Sequence, residues 1–419
     1  MRPLFYSLFF VVFTFSCCQQ TDKSAVPQRF TVKRNAELSG FDNKRLQRID
    51  SLMAGYVREG VMPNAVSFVA RNGSVIHHKA YGYRDAEKNI SATTADIFRW
   101  ASQTKAIATV VLLTLFEENK FMLDDPVEKF LPMFANPKVY VSGSAENGDL
   151  ITRPAKRSIT VRHLLSHTAG YSYNSFGEDL RIVNYEQPVT AKEIVERIAR
   201  TPLMHDPGEG FTYGWATDIA GYLAEVISGK TLDVLMKERI FEPLGMNDTY
   251  FYIPREKHDR LVKMHIRSSG GRRYSLDPET VEQNYPLVSN QPFLGAGAGL
   301  CGTIEDYAKF CQMLLNRGEF NNRRILGSKT VELMAVDQLS GIQGNFRFGM
   351  GFDIGSESNF NVNLRSPGSL SWGGLYGTAY LIDYQENMIA LLYTNVRDWD
   401  NNPRVLDRFR MSVYQAMTE

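Results

Sequence analysis

Ser102-Gln103-Thr104-Lys105 carries the spacing best suited to nucleophilic chemistry in this 419-residue chain. Residues three apart on a helix share a face, so the hydroxyl and the amine can meet. Burial lowers the proton affinity of a lysine, and a lysine so depressed accepts or relays the serine proton. The positive end of the helix dipole then favours the negative charge that develops at the first turn. One such tetrapeptide is expected by chance in roughly every chain of this size, so its setting has to decide. From 102 to 119 the chain is apolar on nearly every face, through Ile107, Val110, Val111, Leu112, Leu113 and Leu115. That pattern predicts a helix buried in the core, with the serine at its head.

Two further pieces supply groups that such a serine needs. Tyr213 lies in Phe211-Thr212-Tyr213-Gly214-Trp215, just before a helical stretch at 217–228. A phenol beside an ammonium is pushed towards phenolate and can act as general base. With 20 tyrosines in the chain, the plain alternative is a partly buried amphipathic ring. Trp372-Gly373-Gly374-Leu375 reads as a strand whose glycines let a ligand approach the backbone; the plain alternative is a bulge or tight bend.

The elements that position these groups follow from the periodicities. A helix at 46–57 precedes strands at 65–70 and 75–81, joined through Arg71-Asn72-Gly73, a strong hairpin signal. Helical spacing recurs at 161–166, 191–200, 217–228 and 232–240, separated by loops such as 136–158 and 171–179. Strand signals return at 348–354, 370–374, 378–383 and 388–395, the last two joined by a tight turn at 384–387. A helix at 303–315 opens with a capping box at Thr303-Ile304-Glu305-Asp306, and a helix at 403–417 closes the chain. Strands at both ends with helices between predict an antiparallel sheet flanked by helices, with an inserted, mainly helical lobe.

Together these segments resemble the serine β-lactamase and penicillin-binding superfamily over residues 41–419. The SxxK helix, the tyrosine motif about a hundred residues on and the Gly-bearing strand near the C-terminus carry the likeness. Ile159 through Gly170, Pro243-Leu244-Gly245-Met246 and Gly297 through Leu315 support it. The resemblance implies a β-lactamase-like α/β (α+β) fold, an α/β lobe from about 41–100 and 292–419, a helical lobe from about 101–291 and a cleft between them. It also implies acyl transfer: Ser102 attacks, Lys105 and Tyr213 share the proton work, and the backbone N–H groups of Ser102 and Leu375 hold the oxyanion. Trp215, Trp372, Gly373 and Gly374 would contact substrate.

Two departures narrow the activity. Class C β-lactamases and D-alanyl peptidases usually carry Asn two residues after the motif tyrosine and Lys or His at the head of the third motif; here both positions are tryptophan. Trp372 supplies no charge for a substrate carboxylate. Tyr213-Gly214-Trp215-Ala216-Thr217-Asp218 and Trp372-Gly373-Gly374 are closer to the family VIII carboxylesterases, although Gly214 replaces the usual serine. The expectation is an esterase on small neutral esters. A D-alanyl-D-alanine peptidase or β-lactamase acting on cell-wall-like substrates is the alternative, and an acylatable sensor without turnover a second one.

Other motifs lead elsewhere and fail. Gly297 to Gly302 matches GxGxxG, but no apolar strand precedes it. His163 and His167 are spaced for a shared metal but lack a carboxylate partner, so a structural pair is expected, with no metal and no cofactor. GxSxG is absent from the sequence, which counts against a nucleophile-elbow hydrolase.

Composition agrees. Hydrophobic residues at 43% and charged residues at 22% are ordinary for a globular protein, and 47 Lys+Arg against 46 Asp+Glu leave +1, disfavouring a nucleic-acid partner. Arg2 and the apolar run 4–15 form an export signal too short to span a bilayer. Ser16-Cys17 resembles a lipoprotein cleavage site, which predicts a signal at 1–16, lipidation of Cys17, a tether at 17–40 and a place in the bacterial cell envelope, with plain secretion or an uncleaved anchor as the alternatives. The lipid anchor would be the only membrane contact, and nothing sets the oligomeric state. Cys301 and Cys311 belong to the body; eight helical residues rise about 12 Å, beyond the ~7 Å limit for bridged Cα atoms, so both thiols are expected unpaired and buried.

Overall fold

The computed structural model describes residues 26–32, 36–180, 188–267, 274–276, 281–287, 291–397 and 404–418. The export run and Cys17 lie outside them. Among the described residues the largest sheet has eight strands. In chain order its members are β1 (Thr31–Val32), β2 (Asn64–Arg71), β3 (Ser74–Asp85), the short Ile90–Ser91, β4 (Asp353–Ile354), β5 (Leu370–Gly374), β6 (Thr378–Asp383) and β7 (Met388–Tyr393). Spatially they run β1-β3-β2-β7-β6-β5-β4, with Ile90–Ser91 beside β3. The N- and C-terminal parts join where β2 pairs antiparallel with β7, Phe68 opposite Leu391. Asn72 and Gly73 both have positive φ and turn β2 into β3, as the Asn-Gly pair requires.

Alternation along the strands fills both faces. Phe68, Leu391 and Tyr393 point into one core, against α6 (Ile304–Leu315). Val69, Leu381 and Leu392 point into the other, beneath α1 (Asn43–Arg58) and α7 (Arg404–Gln415). The centre of the first core is α2 (Thr104–Glu117), in which every residue from Thr104 to Leu115 is buried. It packs on α5 (Ala216–Ser228). Helices α3 (Val161–Leu165) and α4 (Ala191–Arg200) complete this lobe, each with a threonine-led capping box.

Several sequence expectations shift. The sheet is mixed rather than wholly antiparallel, because β1 runs parallel to β3, Thr31 opposite Ser74. Residues 26–32, assigned to the tether, therefore lie on the domain, and Gln28 bonds Glu319 and Asn322. Of the strand expected at 348–354 only Asp353–Ile354 forms; before it the backbone bonds outward, Met350 N–H to Met334 O and Gly351 N–H to Leu165 O. The 136–158 loop contains a hairpin of Lys138–Ser142 with Ile151–Pro154. The helix expected at 232–240 runs on through Glu242–Leu244 by way of a π-helical turn, Lys237–Phe241. Only half of the box at Thr303 forms: Asp306 N–H donates to Thr303, while its carboxylate accepts from Asp248 N–H and Thr249. Cys301 and Cys311 are unpaired and buried, as expected.

Candidate active site

Ser102 stands in a 3-10 turn, Ala101–Gln103, immediately before α2. Ala101 has φ 47°, a left-handed conformation that costs an L-residue about 1 kcal/mol. Buried contacts hold the turn in place. Tyr307 of α6 donates to Gln103 O at 2.9 Å and Tyr393 of β7 to Gln103 Oε1 at 2.6 Å. Thr378 donates to Trp100 O at 3.1 Å. Strand β5 passes so close that a Cβ on Gly374 would sit 2.1 Å from the same oxygen, so glycine is required there.

Lys105, 1% exposed, extends its ammonium to three acceptors: Ser102 Oγ at 3.3 Å, Tyr173 Oη at 2.8 Å and Gly297 O at 2.7 Å. It also lies over the ring of Tyr213, 4.7 Å from the centroid. Burial pushes its proton affinity down, but Tyr173, Tyr213 and Asp218 push it up by more, so the net shift is upward. The direction is therefore the reverse of the depressed lysine expected, and it is set by Tyr173, Tyr213 and Asp218.

Tyr213 is fixed from three sides. His167 packs against its ring at 4.8 Å, and burial, then the Lys105 charge, hold that imidazole down at about 3 and so neutral. Trp372 donates its indole N–H to Tyr213 Oη at 3.2 Å. On the third side is Tyr173, 5.8 Å between centroids. Gly214 explains the loss of serine after the motif tyrosine: its Cβ would fall 2.2 Å from Tyr171 O. The 171–173 segment crosses there, and that crossing delivers Tyr173 to Lys105.

A cleft of about 500 Å³ opens over these groups, lined by Ser102, Tyr213, Trp372, Gly373, Gly374 and Leu375 among others. Leu375 follows β5 directly and is half exposed at the mouth. Trp215 does not line the cleft; it packs behind Tyr173 at 5.1 Å. His163 takes a capping role, its Nδ1 accepting from Thr160 N–H, and His167 serves as a packing partner.

The sequence reading missed Tyr173, Gly297 and Asp218 as parts of the lysine's surroundings. Asp218 Oδ1 accepts from Gly297 N–H at 2.9 Å, which turns the Gly297 carbonyl loop onto Lys105. Burial raises the Asp218 carboxyl, although Lys105 and that N–H oppose it. Available signals were the aspartate ending Tyr213-Gly214-Trp215-Ala216-Thr217-Asp218 and the glycines of 295–299.

The fold and this serine, lysine and tyrosine cluster define a serine hydrolase. Residues 49–415 match the family model described as Beta-lactamase, and the chain belongs to that family. Protein Rv1367c of Mycobacterium tuberculosis is 30% identical over 350 residues, 79% of this chain and 85% of the relative. Esterase EstB of Burkholderia gladioli is 27% identical, covering 83% and 90%. Among solved structures, EstCE1, a hydrolase with promiscuous acyltransferase activity, superposes with TM-score 0.73 at 25% identity, covering 88% and 99%.

Proposed function

We propose that the protein is a carboxylesterase that works through an acyl-enzyme on Ser102. Ser102 Oγ attacks the ester carbonyl, its proton passes through Tyr213 to the leaving alcohol, and water then releases the acid by the reverse proton path. Lys105, with its three protons engaged, acts as a fixed charge that holds Ser102 Oγ and stabilises the proton path. The backbone N–H groups of Ser102 and Leu375 are assigned to the oxyanion, where each such donor is typically worth about 3 kcal/mol.

The observation that carries the esterase reading is Trp372. Its indole takes the place of a cation at the head of the third motif and spends its N–H on Tyr213, so no charge there meets a carboxylate beside the scissile bond. Neutral groups at that position are favoured. The esterase named among the relatives supports the same reading. Labelling by a fluorophosphonate probe tests the nucleophile: the wild type is labelled, Ser102→Ala is not, and labelling of that variant at the wild-type rate contradicts the assignment.

We further propose export and attachment to the cell envelope through lipidated Cys17, a reading supported by the apolar run 4–15 and by Ser16-Cys17.

A further inference from the structure

The cleft does not end at Trp372. Side chains alternate along β5, so Ser371 and Gly373 face away from Trp372, towards α7. A Cβ on Gly373 would meet only Thr378 O, at 3.0 Å, and the residues lining the cleft include Gly373, Ser371, Leu406 and Arg410. Arg410 is 8% exposed. Among the described residues its Nη2 donates to Ser371 Oγ at 3.2 Å, and Arg410 and Ser371 both line the cleft.

The two aspartates whose charges reach Arg410 make their shortest contacts with other residues. Asp353 is paired with Arg365 Nη1 at 2.5 Å, and Asp407 accepts from Asn363 Nδ2 at 2.8 Å. Arg410 has no ion pair among the described residues. Burial and the like charge of Arg365 push its guanidinium down to about 10, against the pull of Asp353, Asp407 and Tyr414. A buried, weakly compensated guanidinium at the wall of a cleft is a site waiting for an anion.

We propose that Arg410 anchors a carboxylate carried by the ester substrate at a distance from the bond that is cut. Gly374, beside the nucleophile turn, and Ser371, beside Arg410, are three strand residues apart, so the span is on the order of 10 Å. A carboxylate suits the place, because its two oxygens match the fork of a guanidinium. The proposal rests on the esterase reading and adds its substrate class: esters that are neutral at the scissile bond and bear a distal carboxylate, either on the acyl chain or on the alcohol.

The test compares matched substrates on the full-length protein. One series is p-nitrophenyl monoesters of dicarboxylic acids of increasing length, each beside its methyl-capped partner. The other is acetate esters of ω-hydroxy acids, again free and methyl-capped. At one chain length in one series the free acid is favoured at least tenfold in kcat/KM, chiefly through KM, and that series shows which side of the ester enters. Arg410→Met brings the ratio to one or below, and Arg410→Lys keeps part of it, since charge remains and the fork is lost. The wild-type comparison needs no variant, so misfolding of Arg410→Met does not blunt it. Hydrolysis of neutral esters with no preference for the free acid at any length overturns this proposal and leaves the esterase reading standing. A preference that persists in Arg410→Met overturns it as well. Failure to turn over any ester, with Ser102 unlabelled, overturns both.

Discussion

Trp372 and Tyr213, 159 residues apart in the chain, meet through a 3.2 Å bond from the indole N–H to the phenol oxygen. Their rings also pack at 5.2 Å. The indole at the third motif is therefore a neutral donor that holds the oxygen to which the proposed mechanism gives the proton relay. Trp372→Phe keeps the ring and removes the donor. We expect kcat on a short-chain ester to fall about tenfold, about 1.4 kcal/mol, with KM less affected. An unchanged kcat places the N–H outside the proton path.

Tyr173→Phe deletes one acceptor of a buried ammonium. An unmatched buried donor costs about 1–3 kcal/mol, so the variant loses thermal stability and kcat together. Melting curves alongside steady-state kinetics measure both, and full stability with full activity shows that the Tyr173 bond to Lys105 contributes to neither.

Gly214→Ser restores the residue usual in the family and is expected to harm this protein. Its Cβ meets the Tyr171 carbonyl at a distance no real contact tolerates, so the 171–173 segment must move and take Tyr173 from Lys105. Activity falls at least as far as in Tyr173→Phe, and the double variant Gly214→Ser with Tyr173→Phe is no worse than the serine variant alone. Additive losses in that double variant rule out a shared cause.

These expectations show what the sequence made legible. Runs with strong periodicity were readable: the apolar 102–119 stretch gave α2, and Asn72-Gly73 gave its hairpin. Ser102, Lys105 and Tyr213 were readable because short spacing on a helix and a motif place them. Tyr173 was not, since its role depends on a backbone crossing between Tyr171 and Gly214 that no local pattern encodes. Nor was the shift of Lys105, whose direction is set by Tyr173, Tyr213 and Asp218 from three separate segments. Phe348 to Phe352 had the apolar content of a strand, but Gly349 and Gly351 let the backbone bond to Met334 and Leu165 instead.

Acid sensitivity follows from five histidines, of which His77, His167 and His265 are buried and His78 and His163 half-buried. Burial lowers His77, His78, His163 and His265 to about 4 and His167 to about 3. The unfolded chain binds these protons near pH ~6.5 and the folded one only well below it. Their stabilising contribution is therefore complete above that value and is lost as pH falls through the window down to about 4, at up to about 1.4 kcal/mol per histidine per pH unit. Denaturant titrations between neutral pH and about pH 4.5 should show a steep decline; a flat profile across that window means the imidazoles are protonated in the folded state.

The central claim is that this site cuts esters in preference to the cell-wall-like substrates that its fold also serves. The direct measurement is kcat/KM for p-nitrophenyl butyrate, a chromogenic cephalosporin and a D-Ala-D-Ala peptide on one preparation of the wild-type protein. The account predicts that the ester leads both others by at least tenfold and that Trp372→Lys narrows the gap by returning a cation to the third motif. A wild-type protein that turns over the peptide or the cephalosporin faster than the ester contradicts it.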